Sequence, residues 1–241
     1  MITRISAQKR RLVSAPASDT YLLFSWGDYF DPSNVRWGGL RFFNDALLRP
    51  GCNLPAHAHD EIEIVTLILS GELRQRQEAQ PPIRLRSGDV QVLSSGTGIR
   101  HAEVNDCDTA VHFYQIGIFP RTPGLVPMHT EAAFGALPVP NELIAVASGR
   151  DKEGAVPINA DATIYTGSLE TYHMVDYVLD LGRSAFLYLT RGALTINGVD
   201  YQPGDQARIV DEPRFMIGAI DRSEYVLVDV PTRGAALRER S

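Results

Sequence analysis

Cysteine is scarce in this chain of 241 residues, which contains Cys52 and Cys107 and no others. Two cysteines cannot supply the set of disulfides that holds a small secreted scaffold together. Apolar runs are short as well, and none approaches the roughly 18 residues that a membrane-spanning helix needs. The basic N-terminus lacks the apolar stretch of a secretory signal. We therefore expect free thiols, no membrane insertion and a cytoplasmic location.

Signals for nucleic-acid and phosphate binding are also missing. The formal net charge is −6, which argues against a broad basic surface that would bind nucleic acid directly. The glycines at Gly96 and Gly98 precede a strand-like run rather than a helix, so they do not form a phosphate-binding loop.

The chain does contain many short apolar runs, separated by its 20 glycines and 15 prolines. Runs of this length and composition are typical of strands, and many short strands indicate a sandwich or a barrel. One short helix is predicted over Thr130–Ala136, with Thr130 as its N-cap. The strand-like runs are Leu40–Phe43, Ile62–Leu69, Val90–Leu93, Val111–Ile118, Ala185–Leu189, Ala193–Ile196 and Tyr225–Val230.

A faint internal repeat suggests that the fold is built twice. In each half a strand ends at a glycine, Gly71 or Gly192, and a second strand follows. A Gly-Asp pair, at 88–89 or 204–205, then opens a third strand, as suits a tight turn. The repeat predicts two similar barrels from one duplication, joined through the proline-rich stretch 120–140.

Two pairs of residues in the N-terminal half have the spacing of metal ligands. His57 and His59 are two residues apart, and so are His101 and Glu103. On strands each pair points to one face, so four nitrogen and oxygen donors can converge inside a barrel. Such donors suit Fe(II), Mn, Ni, Cu or Zn, and the absence of thiolates disfavours a structural zinc site. One His-x-His pair alone would be a weak signal, but the second pair makes it more specific.

The roles of the remaining candidates stay open at this point. Strand parity allows Glu63 to face the same side as His57, either as a fifth ligand or as an acceptor that orients an imidazole. His129 and His173 are expected at the surface or in the core. For His112 a structural role is favoured over one in the cavity wall.

These residues lie in motifs that resemble the pirin family. Gly51-x5-His57-x-His59-x3-Glu63-x7-Gly71 is similar to the first cupin motif, and the segment from Gly88 to Asn105 is similar to the second. More narrowly, the resemblance to pirins rests on GDYFDPSNVRWGGLRFFND, HxHDEIEIVT, GTGIRHAE and AVHFYQIGIFP, and it covers about residues 20 to 231.

The resemblance implies a mainly β bicupin, with two tandem antiparallel β-barrels of the jelly-roll type and few short helices. Residues 1–130 would form the N-terminal barrel with the metal site, and residues 131–241 a C-terminal barrel without metal. Pirins hold iron through three histidines and a glutamate, which here correspond to His57, His59, His101 and Glu103. Glu63 would then be a close neighbour rather than a ligand. One divalent ion, Fe(II) above the others, is the expected cofactor.

Two functions follow from the resemblance. Several pirins resemble quercetinase, the dioxygenase that opens flavonols with O₂, and Glu103 would then act as the general base on a small aromatic substrate. Other pirins resemble regulatory modules that sense redox state or metal and act on a protein partner. A monomer is expected in either case. Candidates for an apolar wall around a flat ligand are Phe42, Leu67, Leu93 and Phe113.

Overall fold

The computed structural model describes residues 1–77, 81–135 and 137–232, and nearly all of its regular structure is β-strand. The one helical segment within these ranges is a 3-10 turn at Ala7–Lys9. None of the described helical structure is long and apolar enough to cross a membrane. The prediction of a mainly β chain with few short helices is confirmed.

The N-terminal half pairs a seven-stranded sheet with a four-stranded sheet. The first twelve strands of the chain are β1 (Ile2–Ile5), β2 (Arg11–Ser14), β3 (Ser18–Leu22), β4 (Leu40–Leu48), β5 (Asn53–His59), β6 (Glu63–Ser70), β7 (Glu72–Gln77), β8 (Ile83–Arg86), β9 (Asp89–Ser94), β10 (Ile99–Val104), β11 (Val111–Ile118) and β12 (Met128–Ala133). The larger sheet has the order β12-β9-β6-β11-β4-β3-β2, and the smaller has the order β5-β10-β7-β8.

The C-terminal half repeats this arrangement. Its strands are β13 (Leu143–Ser148), β14 (Val156–Pro157), β15 (Thr163–Leu169), β16 (Met174–Val178), β17 (Arg183–Arg191), β18 (Leu194–Ile196), β19 (Val199–Tyr201), β20 (Gln206–Val210), β21 (Arg214–Ala219) and β22 (Ser223–Pro231). The larger sheet has the order β1-β20-β17-β22-β15-β13-β14, and the smaller has the order β16-β21-β18-β19. Each half is thus a two-layered β-sandwich rather than one sheet closed on itself.

Apolar side chains form separate cores within and between the halves. The largest core lies between the two seven-stranded sheets, where Phe43 of one half packs against Phe186 of the other. A second core, which includes Tyr201 and Phe215, fills the C-terminal sandwich. The interior of the N-terminal sandwich instead has two smaller apolar cores. Polar side chains share this N-terminal interior, and it is here that the candidate site lies.

The repeat seen in the sequence is present in the backbone. Gly88 and Gly204 both have φ of +87°, a conformation that favours glycine. The carboxylate of Asp89 accepts a hydrogen bond from the backbone nitrogen of Arg86 at 2.7 Å, and that of Asp205 accepts one from Gln202 at 3.0 Å. The two Gly-Asp turns are therefore equivalent, as expected from two related halves.

The prediction of a helix over Thr130–Ala136 is wrong. Met128–Ala133 forms β12 instead, and Thr130 pairs with Val92 of β9. Ala136 lies outside the described residues. The segment contains good helix formers such as Glu131 and Ala132, but so short a helix does not offset the cost of its nucleation, and pairing with β9 therefore decides its structure.

The N-terminal strand belongs to the sheet of the other half. β1 pairs with β20, with Ile2 opposite Ile209. The side chain of Arg4 donates to the buried carboxylate of Asp205 at 2.7 Å, and the backbone nitrogen of Ala7 does so at 2.8 Å. β2 then returns to the N-terminal sheet. The predicted division of the chain at residue 130, which falls inside β12, stays a prediction.

Candidate metal centre

Three histidine side chains meet on the inner face of the small N-terminal sheet. β5 and β10 are neighbouring antiparallel strands, and their register places His101 opposite His57 and Ile99 opposite His59. Side chains two residues apart on a strand share a face, so His57 and His59 point to the same side. The structure thus brings together the three histidines that the spacing selected.

The distances between the histidine nitrogens suit a single ion. One ring nitrogen from each of the three side chains lies within 4.8 Å of the others. The Nε2 atoms of His57 and His101 are 3.1 Å apart. Two nitrogens that bind one ion at right angles, each about 2.1 Å from it, are about 3 Å apart. In the described part of the chain this is the one cluster of such donors.

The other ring nitrogens of two histidines have partners of their own. Nδ1 of His57 lies 3.0 Å from the carbonyl oxygen of Pro55. This oxygen can only accept, so the proton lies on Nδ1 and Nε2 keeps its lone pair. Nδ1 of His101 lies 2.8 Å from the side-chain amide nitrogen of Gln75. Exchanging the nitrogen and oxygen of this amide would let Nδ1 donate and leave Nε2 free to bind an ion, and the amide of Gln77, which donates to Oε1 of Gln75 at 3.2 Å, would then have to turn as well.

Glu103 lies beside the histidines with one carboxylate oxygen held and the other without a partner. Its side chain is fully buried, and its Oε1 accepts a 2.7 Å hydrogen bond from Nε2 of Gln115. Oε1 is also 3.6 Å from Nε2 of His101. Oε2 lies 3.9 Å from Nδ1 of His57 and has no hydrogen-bond partner among the described residues. Buried polar atoms are rarely left unpaired, and a metal ion would satisfy this one.

Burial determines the charge state of these groups. Burial, together with the smaller effect of the nearby His57, lowers the pKa of His59 to about 4 and the pKa of His101 to about 3. Burial also raises the pKa of Glu103, against the opposing effects of His57 and of the Gln115 hydrogen bond. His59 and His101 are therefore neutral near pH 7, which leaves their lone pairs available to a metal.

Glu63 does not face the histidines, and the expectation of a fifth ligand or a close neighbour is wrong. Its Oε2 accepts hydrogen bonds from the hydroxyl of Ser94 at 2.7 Å and from the backbone nitrogen of Asn159 at 3.1 Å. Asn159 belongs to the C-terminal half, so Glu63 lies at the junction of the halves. The parity argument failed because a turn separates β5 from β6, which lies in the other sheet, and Glu61 in that turn has φ of +51°.

The other histidines lie away from the cluster. Nε2 of His112 is 2.6 Å from Oδ1 of Asp45, so His112 contacts the junction of the halves rather than the cavity. His129 is half-buried on β12, and His173 is exposed. These positions agree with the structural or surface roles expected for them.

A cavity of about 1000 Å³ opens onto the histidines. Its wall includes Trp26, Asn44 and Gln115 as well as His57 and His59. The indole of Trp26 stacks on the ring of His59, with 5.9 Å between the ring centroids and 17° between the planes. The cavity therefore offers an aromatic surface next to the candidate metal ligands, as a flat aromatic ligand requires.

None of the four residues predicted for the apolar wall is among those that line this cavity. Phe42 and Leu93 belong to one small core inside the N-terminal sandwich, and Phe113 belongs to the other. Leu67 lies on the opposite face of its sheet, in the core between the halves. Phe42 also packs against Trp26, with ring centroids 4.1 Å apart.

Sequence reasoning missed Gln75, Gln115 and Trp26. For Gln75 a signal existed, since the charged residues Glu72, Arg74 and Arg76 alternate along the chain as on a solvated strand face, and the residues between them must then point inward. Gln115 likewise alternates with the inward-facing Phe113 on β11. Trp26 lies in a loop, and nothing in its surroundings in the sequence predicts that it stacks on a histidine.

Comparison with known proteins places both halves of the chain in described families. Residues 6–118 match the family described as pirin, and residues 145–230 match the quercetinase C-terminal cupin domain. The chain is 35% identical over 212 residues to a pirin-like protein of Caulobacter vibrioides, covering 86% of this chain and 89% of that protein. It is 30% identical over 214 residues to quercetin 2,3-dioxygenase of Escherichia coli K12, covering 88% of this chain and 91% of that enzyme.

Solved structures agree with the sequence relatives. The crystal structure of YhhW from Escherichia coli is 29% identical, with a TM-score of 0.91, and the match covers 98% of this chain and all of that one. The structure of the bacterial pirin YhhW in complex with nickel(II) is 28% identical, with a TM-score of 0.90, and covers 96% of this chain and 99% of that one.

Proposed function

This chain belongs to the pirin family, and from this membership and the geometry of the site we propose that it is a metal-dependent dioxygenase of the quercetinase type. It holds one divalent ion through His57, His59, His101 and Glu103 and uses O₂ to open flavonols. A relative with the name quercetin 2,3-dioxygenase and a pirin solved with nickel(II) support the proposal.

One observation carries this proposal. Three histidine nitrogens within 4.8 Å of one another lie beside a buried carboxylate oxygen that has no partner among the described residues, and two of these histidines, His57 and His59, line a cavity of about 1000 Å³. This donor set fits Fe(II), which we propose as the natural ion, and also Mn, Ni, Cu and Zn. A bound ion would supply Lewis acidity and an open position for a substrate oxygen.

Three residues of the chain have the remaining roles in the proposed reaction. Glu103 would loosen its hold on the ion and take the proton of the flavonol hydroxyl on Oε2, the carboxylate oxygen that has no partner among the described residues. Gln115 holds the other oxygen and so fixes the plane of the carboxylate. Trp26 supports the flat rings of the substrate beside His59.

The test is O₂ uptake with quercetin by protein loaded with Fe(II) under anaerobic conditions, with metal content measured on the same sample. We expect one ion per chain and uptake that scales with occupancy. His101→Ala should lose both metal and uptake, because the remaining ligands bind an ion weakly. His173→Ala removes an exposed histidine and should retain both.

Two outcomes would contradict the proposal in different ways. Full metal content in His101→Ala would show that the ion binds elsewhere. A second outcome is that His101→Ala loses its metal but fully loaded wild type takes up no O₂. This result would confirm the metal site and rule out the dioxygenase activity. The chain would then be assigned to the alternative function, a redox- or metal-sensing module that acts on a protein partner.

A further inference from the structure

Asn44 is a buried amide on the wall of the cavity. It lies in the middle of β4, and its side chain is 7% exposed. Its Oδ1 has no hydrogen-bond partner among the described residues. A buried carbonyl oxygen costs free energy until a donor is supplied, and at a cavity wall a ligand can supply it.

The sheet register places Asn44 next to the candidate metal centre. Asn44 is the direct cross-strand partner of Gln115, whose amide nitrogen is 2.7 Å from Glu103. Neighbouring strands are about 5 Å apart, so the two amides lie side by side, and both belong to the cavity wall that also contains His57 and His59. A ligand in this cavity can therefore contact the histidines and Asn44 at the same time.

The aromatic part of the wall lies close to Asn44 as well. Phe42 precedes Asn44 by two residues on β4, which is roughly 7 Å along the strand. The Phe42 ring packs against Trp26, which stacks on His59. A flat ligand seated between Trp26 and the histidines can therefore place a peripheral group at Asn44.

We propose that Asn44 determines substrate specificity by accepting a hydrogen bond from a peripheral hydroxyl group of a polyhydroxylated aromatic substrate. The proposal rests on the function proposed above and adds a second point of recognition to it. The candidate metal centre binds the oxygens at the reacting ring, and Asn44 forms a hydrogen bond with a hydroxyl group elsewhere on the substrate. A site built to bond a hydroxyl discriminates against the analogue that lacks it, because the buried acceptor is then left unpaired.

The test compares two flavonols that share the metal-binding oxygens. Quercetin and 3-hydroxyflavone both carry the 3-hydroxy-4-keto pair, and quercetin has further ring hydroxyls. Binding is measured on nickel(II)-loaded protein without O₂, from the quenching of tryptophan fluorescence, because Trp26 lines the cavity. We expect wild type to bind quercetin about tenfold more tightly, as one additional hydrogen bond allows.

Variants of Asn44 test whether this residue causes the preference for quercetin. Asn44→Leu keeps the branched shape and the number of side-chain heavy atoms but removes the acceptor, and it should lose the preference for quercetin while binding 3-hydroxyflavone as before. Asn44→Asp keeps an acceptor and should retain the preference, which provides a second reading if the Leu variant does not fold. Gln91→Leu is the matched control, since Gln91 is a buried amide in the same half that does not line the cavity.

The outcomes separate this proposal from the function on which it rests. If Asn44→Leu binds 3-hydroxyflavone and still prefers quercetin as strongly as wild type does, the proposed role of Asn44 is overturned and the flavonol site stands. An equal loss for both ligands in that variant also overturns it, since it shows damage to the cavity rather than loss of one contact. No binding of either flavonol by wild type overturns both proposals.

Discussion

At the scale of single residues, Gln115 connects Glu103 to the opposite sheet. Glu103 lies on β10 of the small sheet, whereas Gln115 lies on β11 of the large one. Their 2.7 Å hydrogen bond therefore joins the two layers of the N-terminal sandwich at the site itself. Hydrogen bonds to a carboxylate favour its charged form, so Gln115 also limits how far burial raises the pKa of Glu103.

Replacing Gln115 should change the pH profile of the proposed reaction. Gln115→Leu removes the hydrogen bond, so the pKa of Glu103 rises further and the base is charged only at higher pH. We expect the acid limb of kcat/KM to move to higher pH, with a loss of roughly tenfold at neutral pH. Metal content should not fall in parallel. An unchanged acid limb, measured beside Gln91→Leu, would show that Glu103 is not the base.

The metal-free protein should lose stability in mild acid because of His59 and His101. In the unfolded chain these histidines take up protons below about pH 6.5. In the folded chain their pKa values are about 4 and about 3, so they stay neutral. The unfolded state then binds more protons, and the free energy of unfolding falls by up to about 1.4 kcal/mol per pH unit for each histidine. Urea titrations between pH 6.5 and pH 4 measure this slope.

A double variant isolates this effect from the carboxylates of the protein. His59→Gln combined with His101→Gln removes both titrating groups from the buried cluster. Its free energy of unfolding should depend less on pH over the same window than that of metal-free wild type. Parallel curves for the two proteins would show that these histidines do not cause the slope.

At the scale of elements, the two Gly-Asp turns have the same geometry and unequal surroundings. Asp89 accepts one backbone hydrogen bond, from Arg86, whereas Asp205 accepts bonds from Gln202, Ala7 and Arg4. Asp205 is also 1% exposed. The turn is thus present in both halves, and the C-terminal one also holds the N-terminal segment.

Substitution of the two aspartates should separate these roles. Asp205→Asn weakens the bonds to the turn and to the N-terminal segment together, and we expect a loss of about 2–3 kcal/mol in the free energy of unfolding. Asp89→Asn affects one bond and should cost about 1 kcal/mol or less. Urea denaturation of both variants gives the comparison. Equal losses would show that the contacts of β1 add little to stability.

The same scale explains which parts of the site could be predicted. Within one strand the alternation of side chains is reliable, so His57 and His59 were placed on a common face, as were His101 and Glu103. Glu63 was misplaced because a turn into the other sheet lies between it and His59. Gln115 and Asn44 lie on the facing sheet, and their distance from the histidines along the chain does not indicate that they lie near them in the fold. The contacts that orient the histidines therefore required the three-dimensional fold.

At the scale of the whole molecule, the halves share one large core. The ring of Phe186 lies 5.4 Å from that of Phe24 and 5.8 Å from that of Phe43, measured between centroids. Polar contacts cross the junction as well, since the hydroxyl of Tyr188 donates to Asp45 at 2.6 Å. Neither half buries its large sheet without the other.

We therefore expect the halves to unfold together. Tryptophan fluorescence reports the N-terminal half, which contains both Trp26 and Trp37, and circular dichroism reports all strands. The two signals should give one coincident transition in urea. Phe186→Ala, in the C-terminal half, should shift both signals equally and lower the free energy of unfolding by about 3–5 kcal/mol. Separate transitions would show that the halves are independent.

The exchange of β1 into the C-terminal sheet has a consequence for how such chains can evolve. A recombinant protein that joined the N-terminal half of one relative to the C-terminal half of another would take β1 from one parent and β20 from the other. The partner of Arg4 would then come from a foreign sequence, and so would the residue opposite Ile2. The two halves are thus expected to accumulate changes as one inherited unit, not as modules that can be shuffled between genes.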